Sequence, residues 1–225
     1  MANNKFKQLV IVCRDYHINW NQFINPIFIG VESGILSLLK NKKNITFICG
    51  DNDSITKQQL DFINKQSNNQ ALESIIFSQE KDYLDSELAI IMALERKIDF
   101  QQLVIVADGQ RWDMFMASIN LLRKYEQYNP ILVGLNNYCF LLTPNQKYLF
   151  SDWQLKYHYI SFFSLTNEEV IYNFRGCKYY DNEDITISSN FIQAISNEFK
   201  INKMPPQILI KKGTCLVMLH YNQST

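Results

Sequence analysis

The chain has 225 residues, of which 47% are hydrophobic and 20% are charged, an ordinary composition for a globular protein with a sizeable core. Lys and Arg together number 22, as do Asp and Glu, so the formal net charge is zero. Nucleic-acid binders normally carry a basic surplus or a basic stripe. This balance therefore argues against a nucleic-acid partner.

The amino-terminal residues and the cysteines indicate the compartment. Residues 1–7 are polar, and the apolar run at residues 9–13 is too short for a signal peptide or a membrane span. The five cysteines are far apart and form no C-x-x-C pair, which argues against a zinc site or a disulfide framework. We therefore expect a cytoplasmic protein with no membrane partner.

The first half of the chain alternates short apolar runs with longer amphipathic segments. Runs rich in Ile and Val, typical of buried strands, occupy residues 9–13, 27–31, 45–49, 74–77 and 103–107. Segments with helical spacing lie between and after them, and the last of these has an apolar stripe that includes Trp112 and Met116. Strands that alternate with helices predict a mostly parallel sheet covered on both faces.

After about Asn129 the pattern changes to short, aromatic and β-branched runs separated by turn-like clusters. These runs occupy residues 131–135, 138–142, 157–163, 170–174, 184–188, 207–211 and 215–220. Such a pattern predicts an antiparallel sandwich or open barrel. We therefore predict an α/β fold in which a parallel sheet with flanking helices (residues 1–145) precedes an antiparallel β domain (residues 146–225).

Acidic residues follow three of the predicted parallel strands, at the edge of the sheet where α/β proteins bind their ligands. Asp51 and Asp53 lie in the first of these loops, and carboxylates so arranged suit Mg²⁺. An Asx-rich turn that ends in a helix cap explains the same residues without a ligand. Asp82 and Asp85 follow the next strand, where acidic residues also favour a helix dipole.

The third loop combines a glycine with an arginine just before a helix. Gly109 and Arg111 occupy the loop, and a helix amino terminus with a nearby guanidinium suits an anion such as phosphate. Two simpler interpretations remain open: Asp113 as the helix N-cap and Arg111 as a solvated loop residue. The order of the three loops, each at a strand end, is more informative than any one of them.

The chain resembles the thiamine pyrophosphokinase family in segments that occur in the family's order along nearly the whole sequence. A D-G-G-like segment lies at residues 32–34. Three further motifs follow in the first half: Gly50-Asp51-Asn52-Asp53-Ser54 matches G-D-x-D-S, Lys81-Asp82-Tyr83-Leu84-Asp85 matches K-D-x-T-D, and Gly109-Gln110-Arg111-Trp112-Asp113-Met114 matches G-G-R-x-D-H. In the second half, Gly176-Cys177-Lys178-Tyr179 matches the glycine-Lys-Tyr segment and Ser196-Asn197-Glu198 matches the S-N-E segment. Four positions depart from the family pattern. Glu32 replaces Asp, Leu84 replaces Thr, Gln110 replaces Gly and Met114 replaces His.

The resemblance implies an enzyme that transfers a diphosphate from ATP to the hydroxyl of thiamine and releases AMP. It implies that Asp51, Asp53 and Asp85 hold Mg²⁺ against the ATP phosphates. Arg111 would pair with phosphate oxygens, and Asp113 would orient Arg111 or a metal-bound water. Because these groups are present, we expect activity, with a slower rate or an altered nucleotide preference where the sequence departs from the pattern.

The resemblance also implies the remaining binding residues and an assembly. Glu32, Asp82 and Gln110 would assist in binding the nucleotide and metal, while Ser196 and Asn197 would contact thiamine. The family's sites form between the α/β domain of one subunit and the β domain of another, so the expected partner is a second copy of the chain. By composition alone, Ser196-Asn197 is an ordinary turn.

Two other functions fit the sequence. One is a Mg²⁺-dependent phosphotransferase that acts on another hydroxylated substrate. The other is a catalytically weak or silent sensor of thiamine or nucleotide, in which Leu84 and Met114 mark lost catalysis. The acidic residues and Arg111 argue against the sensor, since a pure sensor has little need of metal ligands.

Overall fold

The computed structural model describes residues 6–50, 56–70, 73–76, 83–107, 111–190, 194–200 and 204–222. The chain divides into two compact units, Met1–Leu135 and Asn136–Thr225. Some predicted site residues lie outside the described part of the chain, and their roles stay predictions: Asp51, Asp53, Asp82 and Gln110.

The first unit alternates strands with helices. Its strands are β1 (Gln8–Val12), β2 (Pro26–Val31), β3 (Ile45–Gly50), β4 (Ser74–Ile76), β5 (Gln102–Val106) and β6 (Ile131–Val133). Its helices are α1 (Gly34–Lys40), α2 (Lys57–Gln70), α3 (Asp85–Glu95) and α4 (Trp112–Lys124). The strands lie in the order β4-β3-β2-β1-β5-β6, and each neighbouring pair is parallel. The predicted parallel sheet is confirmed.

The central strands are buried on both faces, which explains why their sequences are continuous apolar runs with no alternation. Leu9 to Val12 of β1 and Leu103 to Val106 of β5 are fully buried. A sheet covered by helices on both sides removes every side chain of its central strands from water, and this burial is the main stabilising contribution.

The structure corrects two details of the sequence interpretation. The sequence pattern groups the run at residues 131–135 with the antiparallel strands, but β6 pairs in parallel with β5. A short apolar run does not by itself specify the direction of its partner. In α4 the buried side chains include Ile119 and Leu122, whereas Trp112 is 83% exposed and Met116 is 56% exposed. The predicted stripe is therefore wrong at these two positions.

The second unit is antiparallel. Its strands are β7 (Asn137–Leu142), β8 (Lys147–Leu149), β9 (Tyr159–Ser164), β10 (Val170–Arg175), β11 (Asp184–Ile187), β12 (Gln207–Lys212) and β13 (Cys215–His220). Strand β13 pairs with β7 and β9, while β10 pairs with β11 and β12, and β12 pairs with β8. Strand β7 lies in this unit, which begins before the domain boundary predicted at residues 145/146.

Aromatic side chains fill the space between the two strand sets of the second unit. Phe162 of β9 meets Phe174 of β10 with ring centroids 5.5 Å apart, and Phe140 of β7 meets Tyr148 of β8 at 5.0 Å. Along β10 buried and half-buried residues alternate, as in a strand with one face on a core. The unit is thus a β-sandwich, as predicted. No helix in the described part of the chain is long and apolar enough to cross a bilayer.

Candidate functional site

A pocket of about 180 Å³ lies in the first unit, at the carboxyl ends of its parallel strands. Its lining residues come from the carboxyl ends of β1, β2 and β5 and from the amino-terminal parts of α3 and α4. They are Cys13, Arg14, Val31, Glu32, Leu84, Asp85, Ser86, Ala107, Arg111, Met114 and Ser118. The topology therefore brings together Glu32, Asp85 and Arg111, which are far apart in sequence. It does so at the sheet edge where α/β proteins bind ligands.

Glu32 occupies a strained and buried position at the end of β2. It has φ of 50° and is only 9% exposed. Its backbone N–H donates to the carbonyl of Cys49, and its carbonyl accepts from Ile35. A non-glycine residue in the left-handed region is uncommon, and such strain is concentrated at functional sites. The surrounding backbone thus holds the Glu32 carboxyl in the pocket.

Two glycines make room around Glu32. A methyl group on Gly50 would lie 2.1 Å from Oε1 of Glu32, and the φ of Gly50 is 143°. A methyl group on Gly34 would lie 1.9 Å from the carbonyl oxygen of Val12, so α1 begins in direct contact with the end of β1. Neither position has room for a side chain, which explains why glycine occupies both.

Asp85 is the first residue of α3, and its position depends on how this helix is held. Leu84 precedes it in an extended conformation as the N-cap, without a side-chain capping bond. Further along the first turn, the buried Glu87 pairs with Lys124 of α4 and accepts a hydrogen bond from the Tyr125 hydroxyl at 3.3 Å. These contacts tie the start of α3 to the end of α4, and so they fix the place of Asp85.

Arg111 is the N-cap residue of α4, and its guanidinium forms a two-point contact with Asp113. Nη2 donates to Oδ2 at 2.5 Å and Nε to Oδ1 at 3.3 Å. The hydrogen bond from Arg111 holds the pKa of the Asp113 carboxyl below its usual value. Asp113 is the second residue of α4 and not its N-cap. The N-cap interpretation of Asp113 is therefore wrong.

The charged groups of the pocket shift the pKa of the Cys13 thiol in opposite directions. Burial raises the pKa of Cys13 to about 12, and the positive charge of Arg14 opposes this rise. The carboxylates of Asp85 and Glu32 add to the rise. Arg14, which also lines the pocket, is not among the residues predicted from the sequence. Its position directly after an apolar strand run was the signal available.

The donor set of the pocket fits a hard cation. Among the described residues, no group of three or more His, Cys, Asp and Glu side chains is arranged to hold a metal ion. Mg²⁺ in phosphotransfer sites is usually held by only one or two carboxylates together with substrate phosphates. Glu32 and Asp85 supply two carboxylates in one pocket, and these satisfy that requirement.

A second, larger pocket of about 740 Å³ lies in the β-sandwich unit. Its walls combine tyrosine and aliphatic side chains with polar and charged ones in about equal measure. The lining residues are Tyr172, Lys178, Tyr179, Tyr180, Asp184, Ile185, Thr186, Ala194, Ile195 and Asn197. A volume within the roughly 300–1,000 Å³ range is typical of small-molecule sites.

Of the two residues predicted to contact thiamine, only Asn197 lines this pocket. Its Oδ1 accepts hydrogen bonds from the backbone N–H groups of Tyr179 and Glu198, and its Nδ2 donates to the Tyr179 carbonyl. Asn197 therefore holds the Tyr179 segment in place. Ser196 is exposed with φ of 56°, and its N–H donates to the Ser161 hydroxyl.

Comparisons with known proteins connect this geometry to a family. The sequence model described as "Thiamin pyrophosphokinase, catalytic domain" matches residues 19–133. A curated thiamine pyrophosphokinase of Bacillus subtilis is 32% identical over 177 residues, which are 77% of this chain and 78% of that protein. The chain belongs to the thiamine pyrophosphokinase family. The resemblance stated from the sequence motifs is thus confirmed.

Solved structures of family members have the same fold. The thiamine pyrophosphokinase of Bacillus subtilis superposes with a TM-score of 0.77 at 23% identity, covering 96% of this chain and 100% of that one. The thiamin pyrophosphokinase of Candida albicans gives 0.71 at 17% identity, covering 97% and 90%. These likenesses confirm the predicted arrangement of an α/β unit followed by a β unit. Two departures from the family pattern, Leu84 and Met114, line the pocket of the first unit.

Proposed function

We propose that the pocket of the first unit binds the phosphates of ATP in a thiamine diphosphokinase reaction. The protein transfers a diphosphate from ATP to the hydroxyl of thiamine, and AMP leaves. The observation that carries the proposal is the convergence of Glu32, Asp85 and Arg111 on one pocket of a chain that belongs to this family. At about 180 Å³ the pocket suits phosphate groups better than a whole nucleotide.

The reaction requires the neutralisation of phosphate charge. The thiamine hydroxyl attacks the β-phosphorus and loses its proton, and the bond from this phosphorus to the oxygen bridging to the α-phosphate breaks. Negative charge then grows on the departing AMP. Arg111 is oriented by Asp113 and would pair with phosphate oxygens through its planar fork.

The carboxylates would hold Mg²⁺ beside the phosphates. Glu32 and Asp85 are the described candidates, and Asp51 and Asp53 are those predicted from the sequence. When bound, the ion would neutralise charge on the transferred group. Asp85 begins α3, and Glu32 is held by its turn after β2, so both carboxylates keep fixed positions before substrate binds.

The pocket of the β-sandwich unit would bind thiamine. Thiamine is a cation with two aromatic rings, and the faces of Tyr172, Tyr179 and Tyr180 suit both properties. Asn197 fixes the backbone of Tyr179 through two hydrogen bonds, accepts a third from the Glu198 N–H, and so preserves the shape of the pocket. Ser196 stays a candidate on the family resemblance alone.

The assembly and the compartment complete the proposal. The family resemblance supports a homodimer whose sites are shared between subunits, and sedimentation equilibrium tests this directly: a monomer at all concentrations would exclude it. All five cysteines are free thiols, four of them buried. Free thiols are usual in a reducing compartment, which supports a cytoplasmic location.

The two alternative functions are not favoured. A phosphotransferase that attacks the γ-phosphorus would release ADP, whereas this family's reaction releases AMP. A silent sensor has no use for two fixed carboxylates beside an oriented arginine. The first alternative predicts ADP and the second predicts no product, so chromatography of the reaction products separates both from the proposed function.

An Asp85→Asn substitution tests the role of the pocket. It removes one charge at nearly constant volume, so we expect kcat/KM to fall roughly 100-fold, equivalent to about 2.7 kcal/mol of transition-state stabilisation. The Mg²⁺ concentration needed for half-maximal activity should rise, with Tm nearly unchanged. Asp99→Asn is the matched control, because Asp99 is exposed and lies just before the amino end of β5. Equal activities of the two variants would exclude the proposed role of Asp85.

A further inference from the structure

The segment after β1 places the positively charged side chain of Arg14 at the pocket of the first unit. Strand β1 is central in the sheet, and Cys13 continues its ladder by donating to the carbonyl of Val106 at 3.0 Å. Two contacts with α1 hold the following residues. The Ser37 hydroxyl donates to the Tyr16 carbonyl at 2.8 Å, and Lys40 pairs with Asp15. Arg14 lies between these fixed points, so its backbone is held beside the pocket that its side chain lines.

Arg14 has no counter-charge of its own in the described part of the chain. Ion pairs there engage other cations, namely Lys7, Lys40, Arg96, Arg111, Lys124, Lys178, Lys211 and Lys212. The neighbouring Asp15 pairs with Lys40 and not with Arg14. A half-buried guanidinium that lines a pocket and pairs with no described carboxylate keeps its donors available for an anionic ligand.

The two arginines that line the pocket, Arg14 and Arg111, differ in whether a described carboxylate pairs with them. The guanidinium of Arg111 is bonded twice to Asp113, which satisfies part of its hydrogen-bonding capacity and offsets its charge. Arg14 lines the same pocket as Glu32 and Asp85 but forms no ion pair with a described carboxylate. A diphosphate carries several negative charges, and one arginine already paired with a carboxylate neutralises them poorly.

We propose that Arg14 is a second phosphate-binding residue of this site, and that it contacts the diphosphate portion of ATP. The proposal rests on the function proposed above and adds a residue to it. Arg14 approaches from the end of β1, whereas Arg111 approaches from the start of α4, so the two guanidinium groups would contact different oxygens. The planar fork of Arg14 can donate two parallel hydrogen bonds to one phosphate group.

Direct binding measurements on the full chain test the proposal without turnover. ATP with Mg²⁺, and separately inorganic pyrophosphate, are titrated into wild type, Arg14→Gln and Arg14→Lys in the absence of thiamine. We expect Arg14→Gln to weaken both ligands about 10-fold or more, because charge-assisted hydrogen bonds are lost. Arg14→Lys should weaken them less, since the charge remains without the fork. Thiamine affinity and Tm should stay at their wild-type values.

Arg123→Gln is the matched control, because Arg123 is exposed near the far end of α4 and loses the same charge. Equal ATP and pyrophosphate affinities in Arg14→Gln and Arg123→Gln would overturn the proposal. If Arg14→Gln unfolds, the affinities of Arg14→Lys decide: wild-type values would then refute the role of the fork. Wild-type product formation is assayed in parallel. An inactive wild type whose pyrophosphate affinity depends on Arg14 would refute the proposed function and leave the anion site in place.

Discussion

At the scale of single residues, Glu32 shows how the fold stores strain beside its reactive groups. A glutamate in the left-handed region costs of order 1–3 kcal/mol and persists only where its surroundings enforce it. Here the enforcing neighbours are the end of β3 and the first turn of α1, through backbone hydrogen bonds to Cys49 and Ile35. The strained turn thus places the Glu32 carboxylate at the pocket.

Gly50 provides the test of this arrangement. An added methyl group would lie 2.1 Å from the Glu32 carboxylate, so Gly50→Ala should displace that group. We expect kcat/KM to fall roughly 10–100-fold, as is typical when the support of a catalytic group is lost. Glu32→Gln should give a comparable loss with less effect on Tm, because the backbone stays as it is.

A double-mutant cycle separates this effect from general damage. If Gly50→Ala acts through Glu32, it should lower activity much less in the Glu32→Gln background than in wild type. Fully additive losses would show that Gly50→Ala disturbs the site by another route, such as the backbone strain of alanine at φ of 143°.

At the scale of secondary-structure elements, the contact between α3 and α4 determines where Asp85 and Arg111 lie in the pocket. Asp85 begins one helix and Arg111 caps the other. Glu87 joins the two helices, because it is buried and bonded to both Lys124 and Tyr125. A buried carboxylate that lost its partners would be strongly destabilising, so this cluster favours a single relative placement of the helices.

The Tyr125 hydroxyl gives this contact a measurable pH dependence. Burial first, and then the charge of Glu87, raises the pKa of Tyr125 from 10.0 to about 12. A raised folded-state pKa means that the stability contribution is complete below pH 10 and is lost as the pH rises toward 12. We expect the free energy of unfolding to fall through this window. The fall should be smaller for Tyr125→Phe.

Urea unfolding at pH 8, 10 and 11 measures the difference between wild type and Tyr125→Phe. Other buried tyrosines, such as Tyr157, titrate in both proteins and therefore cancel in the comparison. Parallel pH profiles of the two proteins would show that Tyr125 does not keep its proton in the folded state.

Some elements of the fold can be predicted from the sequence and others cannot, for physical reasons. Strands β1, β2, β3 and β5 are long, buried and rich in Ile and Val, so their composition is sufficient to predict them. Strand β6 has the same composition but is short, and no local signal identifies its parallel partner. Helix α1 was not predicted, because six of its seven residues are buried and show no amphipathic period.

The candidate site was predicted in part. Motif order suggested Glu32, Asp85 and Arg111, and all three line one pocket. Arg14 was missed because its role depends on which charges lack partners, a property of the folded chain. For Asn197, the sequence did not reveal three bonds to the neighbouring backbone, which give this residue a part in shaping the second pocket.

At the scale of the whole molecule, the fold tolerates large changes in sequence. The chain superposes on the Geobacillus thermodenitrificans thiamin pyrophosphokinase with a TM-score of 0.75 at only 21% identity. Residues such as Leu84 and Met114 differ from the family pattern but still line the pocket. Packing of the apolar strands preserves the architecture, while the chemistry depends on a few charged groups at the sheet edge.

The products formed from ATP, Mg²⁺ and thiamine test the central claim most directly. Purified protein is incubated with all three, and the products are separated by chromatography and quantified over time. We expect thiamine diphosphate and AMP in equal amounts, since attack on the β-phosphorus links the two. Formation of ADP with a thiamine monophosphate, or binding of thiamine without either expected product, would contradict the claim.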